Sequence, residues 1–282
     1  MNMNEIHQRH WHEYLDDAQR AALYASWWET DRVNHWRHLR LMAPVIEVLG
    51  RFGGFSWLTV GDGAGMDAWI MHRAGFVDVL ATDLDDTVLA ETRRRSHIAN
   101  YRIENAEALS FPDGHFDFVL CKEALHHMSR PYAAIYECLR VARYGVVLVE
   151  PQDPWIDWPH RTDAPSAHYE AVGNFVYTFS ARELEKIGYG MNLRGLATRA
   201  LVDVYIEGCE YARRAEDDPL WRDTREQLAA LEAAVAAGTA KPNYLQAILF
   251  KNAVDGGVLD WLRAAHPTWT FQRTDTNPYL TP

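Results

Sequence analysis

The sequence has few cysteines and no excess of positive charge, and each shortage excludes a class of protein. Its three cysteines, Cys121, Cys138 and Cys209, lack the spacing of a metal site or of a disulfide framework, which fits a reducing compartment. The formal net charge of −11 at pH 7 argues against nucleic acid or an anionic membrane as the main partner. The chain also lacks an apolar run of the roughly 20 residues that cross a bilayer, and it starts with no signal-peptide pattern. We therefore expect a cytoplasmic protein with no membrane segment.

The chain is long enough for one elaborated α/β domain. It has 282 residues, of which 48% are hydrophobic and 12% aromatic, so a sizeable core is possible. Helical spacing of apolar residues predicts an N-terminal helical lid over residues 1–50. A cofactor-binding core is expected over 51–151. Residues 152–282 are expected to supply the remaining strands, a wall of the substrate site and helical additions.

Short apolar runs alternate with helical patterns from Trp57 to Glu150, which predicts five strands joined mostly by single helices. Such alternation is typical of a parallel, doubly wound sheet. Ser180 is expected to begin a helix, with Glu183 as its capping-box partner. Two later strands are expected at Met191–Thr198 and Tyr244–Phe250, with helix over 200–237. The fold class is therefore α/β, a Rossmann-like, doubly wound, mostly parallel seven-stranded sheet with N-terminal helices and C-terminal helical additions.

A glycine-rich turn follows the first strand of this core. Gly61, Gly63 and Gly65 alternate with other residues between the apolar run Trp57–Val60 and a helical pattern. Glycines there allow a sharp turn and the close approach of a ligand. The next apolar run ends in Asp83, where a carboxylate can accept both ribose hydroxyls. Together these features indicate a nucleoside-containing cofactor.

Several motifs in order resemble those of the class I S-adenosylmethionine-dependent methyltransferases. The resemblance covers residues 57–151 and rests on Val60–Gly65, Asp83, the segment Asn105–Asp113, and the fourth strand with the loop that holds His126 and His127. It implies S-adenosylmethionine as the cofactor. The cofactor-binding residues that it implies are Gly61, Asp62, Gly63, Gly65, Asp83, Leu84, Asn105, Ala106, Glu107, Cys121 and Lys122.

The sequence departs from that family at two places. Thr59 stands where the family usually has an acid, so Asp62 or Asp67 is expected to supply charge near the amino group of the cofactor. Asn105 replaces an Asp, although an amide oxygen can still accept from the adenine amino group. A nicotinamide dinucleotide is the alternative cofactor. Its binding motif is G-x-G-x-x-G, and Met66 stands at the position of the third glycine. A cofactor-binding sensor or partner subunit without catalysis is an alternative of another class.

The loop after the fourth strand carries the candidate catalytic residues. A hydroxyl nucleophile benefits from a general base, and His127 or His126 can titrate near neutral pH. Of the two, His127 is the preferred candidate. Glu123 is expected to orient that histidine. A metal site of Glu123 and the two histidines, with Asp153 or Asp157, is the alternative; adjacent histidines do not easily face one ion, so we expect no metal.

The acceptor is expected to be a small molecule, with no nucleic acid or membrane partner, and the sequence does not indicate the oligomeric state. Aromatic residues near the N-terminus are expected to pack against the sheet or, alternatively, to form a lid over the substrate. The segment 152–160 is expected to be either a wall of the substrate site or a packed connector. The run from Cys121 to Asp153 resembles a bacterial branch associated with surface polysaccharides, which implies O-methylation of a sugar or polysaccharide precursor. A natural-product or quinone-like small molecule is the alternative acceptor.

Overall fold

The computed structural model describes residues 17–153 and 175–274. The strands in these ranges are β1 Ser56–Val60, β2 Asp78–Asp83, β3 Tyr101–Ile103, β4 Phe116–Lys122, β5 Ala142–Pro151, β6 Gly195–Leu201, β7 Tyr244–Phe250 and β8 Thr270–Arg273. The helices are α1 Asp17–Trp28, α2 Val33–Leu49, α3 Met66–Arg73, α4 Thr87–Arg94, α5 Pro131–Val141, α6 Ala181–Gly190, α7 Pro219–Ala236 and α8 Gly256–Ala265. Within this part of the chain, no helix is long and apolar enough to cross a membrane.

The strands form one mixed, mostly parallel sheet in the order β3-β2-β1-β4-β5-β7-β6-β8. Strands β1 to β5 are parallel to one another, whereas β7 is antiparallel to β5 and β6, and β8 is antiparallel to β6. This confirms the Rossmann-like α/β class. The predicted count of seven strands is wrong, because Thr270–Arg273 adds an eighth strand at the edge of the sheet.

Helices cover both faces of the sheet. Alternate residues of the buried strands point to opposite faces, so Val149 packs in one core and Leu148 in the other. Helices α2, α3, α4 and α8 contribute to the first core, which contains Leu41, Met71 and Leu262. Helices α5 and α6 contribute to the second core. We call the two sides the α2 face and the α5 face.

The C-terminal third departs most from its predicted elements. Residues 202–218 are not a regular helix; a short 3-10 turn at Cys209–Tyr211 precedes α7. The carbonyl of Tyr211 instead accepts from the Arg32 guanidinium, and the carbonyl of Ala212 accepts from the Val33 amide at the start of α2. Polar contacts of this segment with the N-terminal helices therefore replace helical bonds.

Two local predictions are confirmed in the same region. Strand β7 has the predicted bounds. Ser180 and Glu183 form the predicted capping box at the start of α6, in which each side chain accepts from the backbone amide of the other residue. Residues 1–16, 154–174 and 275–282 lie outside the described part, and with them the predicted roles of Trp155, Asp157, Trp158 and His160.

Candidate active site

The glycine turn lies at the carboxyl edge of the sheet, directly after β1. Gly61 and Gly63 have φ values of 67° and 51°, in the left-handed region that favours glycine. A Cβ added to Gly61 would lie 2.4 Å from Cβ of Ala124, so the loop after β4 packs directly against the turn. A Cβ on Gly63 would meet no described atom within 4 Å. The backbone of Gly63 is therefore open to a ligand.

Asp83 connects the end of β2 to this open turn. One of its carboxylate oxygens accepts a hydrogen bond of 2.8 Å from the Gly63 amide, and the other accepts from the Asp85 amide at 3.2 Å. Burial raises the pKa of the Asp83 carboxyl. A carboxylate beside an open glycine backbone fits the ribose of a nucleoside cofactor, as the sequence predicted, with Leu84 next in the chain.

The segment after β3 brings Asn105 to the same edge. The Glu104 amide donates to the carbonyl of Asp83 at 2.9 Å, which places Asn105 close to the end of β2. The side-chain oxygen of Asn105 accepts from the Glu107 amide at 3.0 Å. Because an amide oxygen has two lone pairs, it retains capacity for an adenine amino group.

Asp62 and Glu107 make internal contacts that differ from the predicted contacts with the cofactor. The Asp62 carboxylate accepts from the Thr59 hydroxyl at 2.7 Å and from the amides of Asp67 and Ala68 at 2.9 and 3.0 Å. It thereby caps the first turn of α3. The Glu107 carboxylate accepts from the amide and the guanidinium of Arg130 at 2.8 and 2.7 Å. Both acids hold loops of the site in shape.

Cys121 and Lys122 end β4 with their side chains on opposite faces. Cys121 packs in the core of the α5 face, where burial raises the pKa of its thiol well above the usual range. The Lys122 ammonium donates to Nδ1 of His38 at 2.6 Å and lies 3.2 Å from the Asp67 carboxylate. Both side chains are buried and make these internal contacts, and the predicted role of the two residues at the cofactor stays a prediction.

His126 and His127 lie in a 3-10 turn after β4, and their rings are 4.0 Å apart. The carboxylate at His126 is Glu150, whose Oε2 lies 2.7 Å from Nδ1 of the ring. Glu123 is held elsewhere: its carboxylate accepts from the Arg37 guanidinium at 2.5 Å and from the Tyr244 hydroxyl at 2.7 Å. The prediction that Glu123 orients the histidine is therefore corrected, because Glu150 occupies that position.

Sequence reasoning missed Glu150, although the chain carries a weak signal for it. Glu150 is the first charged residue after the apolar run Val146–Val149, and it is 2% exposed. A carboxylate buried at the carboxyl end of a central strand needs hydrogen-bond donors, and the crevice of the sheet is nearby. The contacts of Arg37 and His38 had no comparable signal, because α2 reads as an ordinary amphipathic helix.

Two further predictions concerned metals and aromatic stacking. Within residues 17–153 and 175–274, no group of three or more His, Cys, Asp or Glu side chains could hold a metal ion. The described N-terminal aromatics contact other rings: Trp28 stacks on His97 at 4.1 Å, and Trp36 meets Trp221 edge-on at 5.0 Å. Core packing accounts for these two tryptophans.

The fold and this site define a Rossmann-like protein with a crevice for a nucleoside-containing cofactor. Residues 58–149 match the family model described as a methyltransferase domain. Over these residues the chain is similar to class I S-adenosylmethionine-dependent methyltransferases, and its Rossmann-like fold agrees with that similarity.

Curated relatives share this region at moderate identity. Ubiquinone biosynthesis O-methyltransferases from Acinetobacter baumannii (strain AYE) and Xanthomonas oryzae pv. oryzae (strain PXO99A) are 30% and 32% identical over 141 and 132 residues. The matches cover 45% and 44% of this chain. The chain spans only 57% and 55% of the length of these relatives. Neither is described as acting on a polysaccharide, so the expected polysaccharide branch gains no support.

Solved structures show the same fold over more of the chain. Phosphoethanolamine N-methyltransferase 2 of Haemonchus contortus, solved with phosphomonomethylethanolamine and S-adenosylhomocysteine, has a TM-score of 0.60 and 16% identity. The similarity covers 89% of this chain and 61% of that one. At this identity the likeness supports the fold alone.

Proposed function

We propose that this protein is an S-adenosylmethionine-dependent methyltransferase that O-methylates a small molecule with a phenolic or quinol-like ring. The observation that carries the cofactor assignment is the Asp83 carboxylate 2.8 Å from the amide of the open Gly63 turn. Gly63 gives the cofactor room, and Gly61 and Gly65 let the turn pack closely against its protein neighbours. Asp83 holds the ribose, and Asn105 with Ala106 borders the adenine. When bound, S-adenosylmethionine supplies an electrophilic methyl group.

The chain's own residues orient the acceptor and accept its proton. The turn with His126 and His127 packs on the glycine turn through Ala124, so an imidazole base lies near the methyl position. An imidazole has an ordinary pKa of about 6.5. This value is closer to the pKa of a phenol, about 10, than to that of a sugar alcohol, so proton transfer from a phenol is easier. This argument favours the ring acceptor over the sugar that the sequence suggested.

Two other observations support an acceptor with an aromatic ring. Met128, Tyr132 and Tyr177 are half-buried against the core of the α5 face, beside the histidine turn. The Tyr177 hydroxyl donates to the carbonyl of Ser129 at 3.4 Å, which brings its ring to this turn. Their apolar side chains suit a flat ring. The ubiquinone-biosynthesis relatives agree with this class of acceptor.

Calorimetry with S-adenosylhomocysteine tests the cofactor assignment. Asp83→Ala should weaken binding at least tenfold, since each lost hydrogen bond to a charged group is worth about 1.5–3 kcal/mol. Asp78→Ala is the matched control, because Asp78 is exposed at the opposite end of the same strand. Equal affinities in the two variants would contradict the ribose contact.

A panel of acceptors tests the reaction. The full chain is incubated with S-adenosylmethionine and either dihydroxybenzoates, hydroquinones or nucleotide sugars, and product mass and S-adenosylhomocysteine are measured. A product 14 mass units heavier from the ring compounds is expected from replacing hydrogen by methyl. A product from nucleotide sugars alone would overturn the acceptor class. Cofactor binding without any product would favour the non-catalytic sensor.

A further inference from the structure

Glu150 joins three groups of the histidine turn through its two carboxylate oxygens. Oε1 accepts hydrogen bonds from the amides of Ala124 and Leu125, both at 2.9 Å. Oε2 lies 2.7 Å from Nδ1 of His126. Glu150 is 2% exposed and His126 is 7% exposed. One carboxylate at the end of β5 therefore fixes both the backbone of the turn and one imidazole of it.

These contacts determine which nitrogen of His126 carries the proton. An ionised carboxylate only accepts hydrogen bonds, and the two backbone amides can only donate. The proton between Glu150 and His126 therefore lies on Nδ1 of the ring. In the neutral imidazole, Nε2 then has the lone pair, which is the form that accepts a proton from a hydroxyl.

We propose that Glu150 is a positioning residue that holds His126 as the general base of the methyl transfer. This inference rests on the proposed function and selects His126, rather than the His127 that sequence reasoning favoured. The acceptor oxygen forms its bond to the methyl carbon as the carbon–sulfur bond breaks, and that electron pair goes to sulfur. The hydroxyl proton passes to Nε2 of His126. The Glu150 carboxylate stabilises the resulting imidazolium by the same bond that oriented the ring.

An isosteric substitution separates this role from a purely structural one. In Glu150→Gln, the oxygen of the new amide must stay at the Ala124 and Leu125 amides, because both of these groups donate. The amide nitrogen then faces Nδ1 of His126 and donates to it. The ring is forced into the opposite tautomer, with its proton on Nε2, while the shape of the site is retained. The variant keeps the backbone of the turn in place, and it removes the lone pair on Nε2 of His126 that would accept the proton.

The tautomer is read by ¹⁵N NMR of the ¹⁵N-histidine-labelled full chain, with His126→Gln used to assign the resonances. We expect Nδ1 to be protonated in the unmodified protein and Nε2 in Glu150→Gln. A proton on Nε2 in the unmodified protein would overturn the proposal without any measurement of turnover. The thermal midpoint and the affinity for S-adenosylhomocysteine show whether the variant retains its fold.

Turnover is then measured with the best acceptor of the ring panel. Glu150→Gln and His126→Gln should each lower kcat about 10²–10⁴-fold, with cofactor affinity within threefold of the unmodified protein. His127→Gln should retain a far larger share of kcat. Glu123→Gln, the neighbouring carboxylate on the other face, is the control and should leave the His126 tautomer unchanged.

The outcomes distinguish the inference from the function on which it rests. A Glu150→Gln variant that flips the tautomer yet keeps kcat within threefold of the unmodified protein would overturn the base assignment and leave the methyltransferase activity standing. An unmodified protein that binds the cofactor but methylates nothing would overturn the proposed function, and the base assignment with it. In that case the NMR result would still decide the tautomer.

Discussion

His126 and His38 lie at the same edge of the sheet but on opposite faces, and their rings are held in opposite ways. On the α5 face, Nδ1 of His126 lies 2.7 Å from the Glu150 carboxylate and donates to it in the proposed tautomer. On the α2 face, Nδ1 of His38 accepts from the Lys122 ammonium at 2.6 Å. Burial, followed by the nearby Lys122 charge, lowers the pKa of His38 well below its usual range. Neutral His38 therefore carries its proton on Nε2 and cannot accept another there.

The difference teaches that the partner at Nδ1 sets the chemistry of a buried imidazole. Both histidines are less than a tenth exposed, at 7% and 4%, so burial does not separate them. A carboxylate partner makes the opposite nitrogen an acceptor, whereas an ammonium partner makes it a donor. The α5 face thus has the imidazole that we propose as the base, and the α2 face has an ionic network that joins α2 to the sheet.

The largest expected effect is on kcat, and it tests the difference between the two histidines directly. His126→Gln should lower kcat about 10²–10⁴-fold, because the base is lost. His38→Gln should leave kcat within about threefold, since the Gln side chain offers Lys122 an amide oxygen in place of Nδ1. Steady-state kinetics with one acceptor measure both. Equal losses in the two variants would show that both faces take part in the reaction.

The second prediction concerns stability on the α2 face. Lys122→Met removes the ammonium between Asp67 and Glu123 and should lower the free energy of unfolding by about 3–5 kcal/mol, because a buried carboxylate loses its cation. Adding Asp67→Asn should recover part of this loss. Lys186→Met, at an exposed position on α6, should change it by less than about 0.5 kcal/mol. Urea denaturation makes the measurement, and a loss below 1 kcal/mol for Lys122→Met would contradict the network's role.

Local sequence patterns predicted the features formed by residues close together in the chain better than the contacts between distant residues. The glycine turn, Asp83 and strand β7 follow from residues close together in the chain, and the structure has them where expected. The partners of the two histidines are distant: Glu150 is 24 positions from His126, and Lys122 is 84 from His38. Such pairs depend on strand order and on the placement of α2, which no local periodicity encodes.

The non-helical path of residues 202–218, before α7, was missed for a similar reason. Its apolar residues match a helical pattern, yet Asp203 is buried against α2, where its carboxylate pairs with Arg37 and Arg40. The ion pairs and backbone bonds with α2 hold this segment in a non-helical path. Tertiary contacts of this kind override helix propensity.

A third prediction concerns the pH dependence of the free energy of unfolding. Burial, and then the neighbouring Asp67 carboxylate, raise the pKa of Asp62 from 3.8 to about 8. The folded state therefore binds more protons than the unfolded state between about pH 4 and pH 8. The free energy of unfolding should fall as pH rises through this window, by at most about 1.4 kcal/mol per pH unit for one group.

Asp62→Asn removes this titration and tests its source. The variant should show a flatter dependence of the unfolding free energy between pH 6 and pH 8, measured by urea denaturation. Asp78→Asn, at an exposed position, is the control and should retain the slope of the unmodified protein. An unchanged slope in Asp62→Asn would mean that another group binds the proton.

The smallest effect is expected at the Tyr244 hydroxyl, which belongs to the α2 face. It accepts from Arg37 at 2.9 Å and donates to Glu123 at 2.7 Å. In Tyr244→Phe these two residues still pair with each other, so the free energy of unfolding should fall by only about 1–2 kcal/mol. Turnover should remain within threefold, because the proposed proton transfer to His126 takes place on the other face. A tenfold loss of kcat at unchanged cofactor affinity would connect the Arg37–Glu123 network to the acceptor, and the division of roles between the two histidines would then fail.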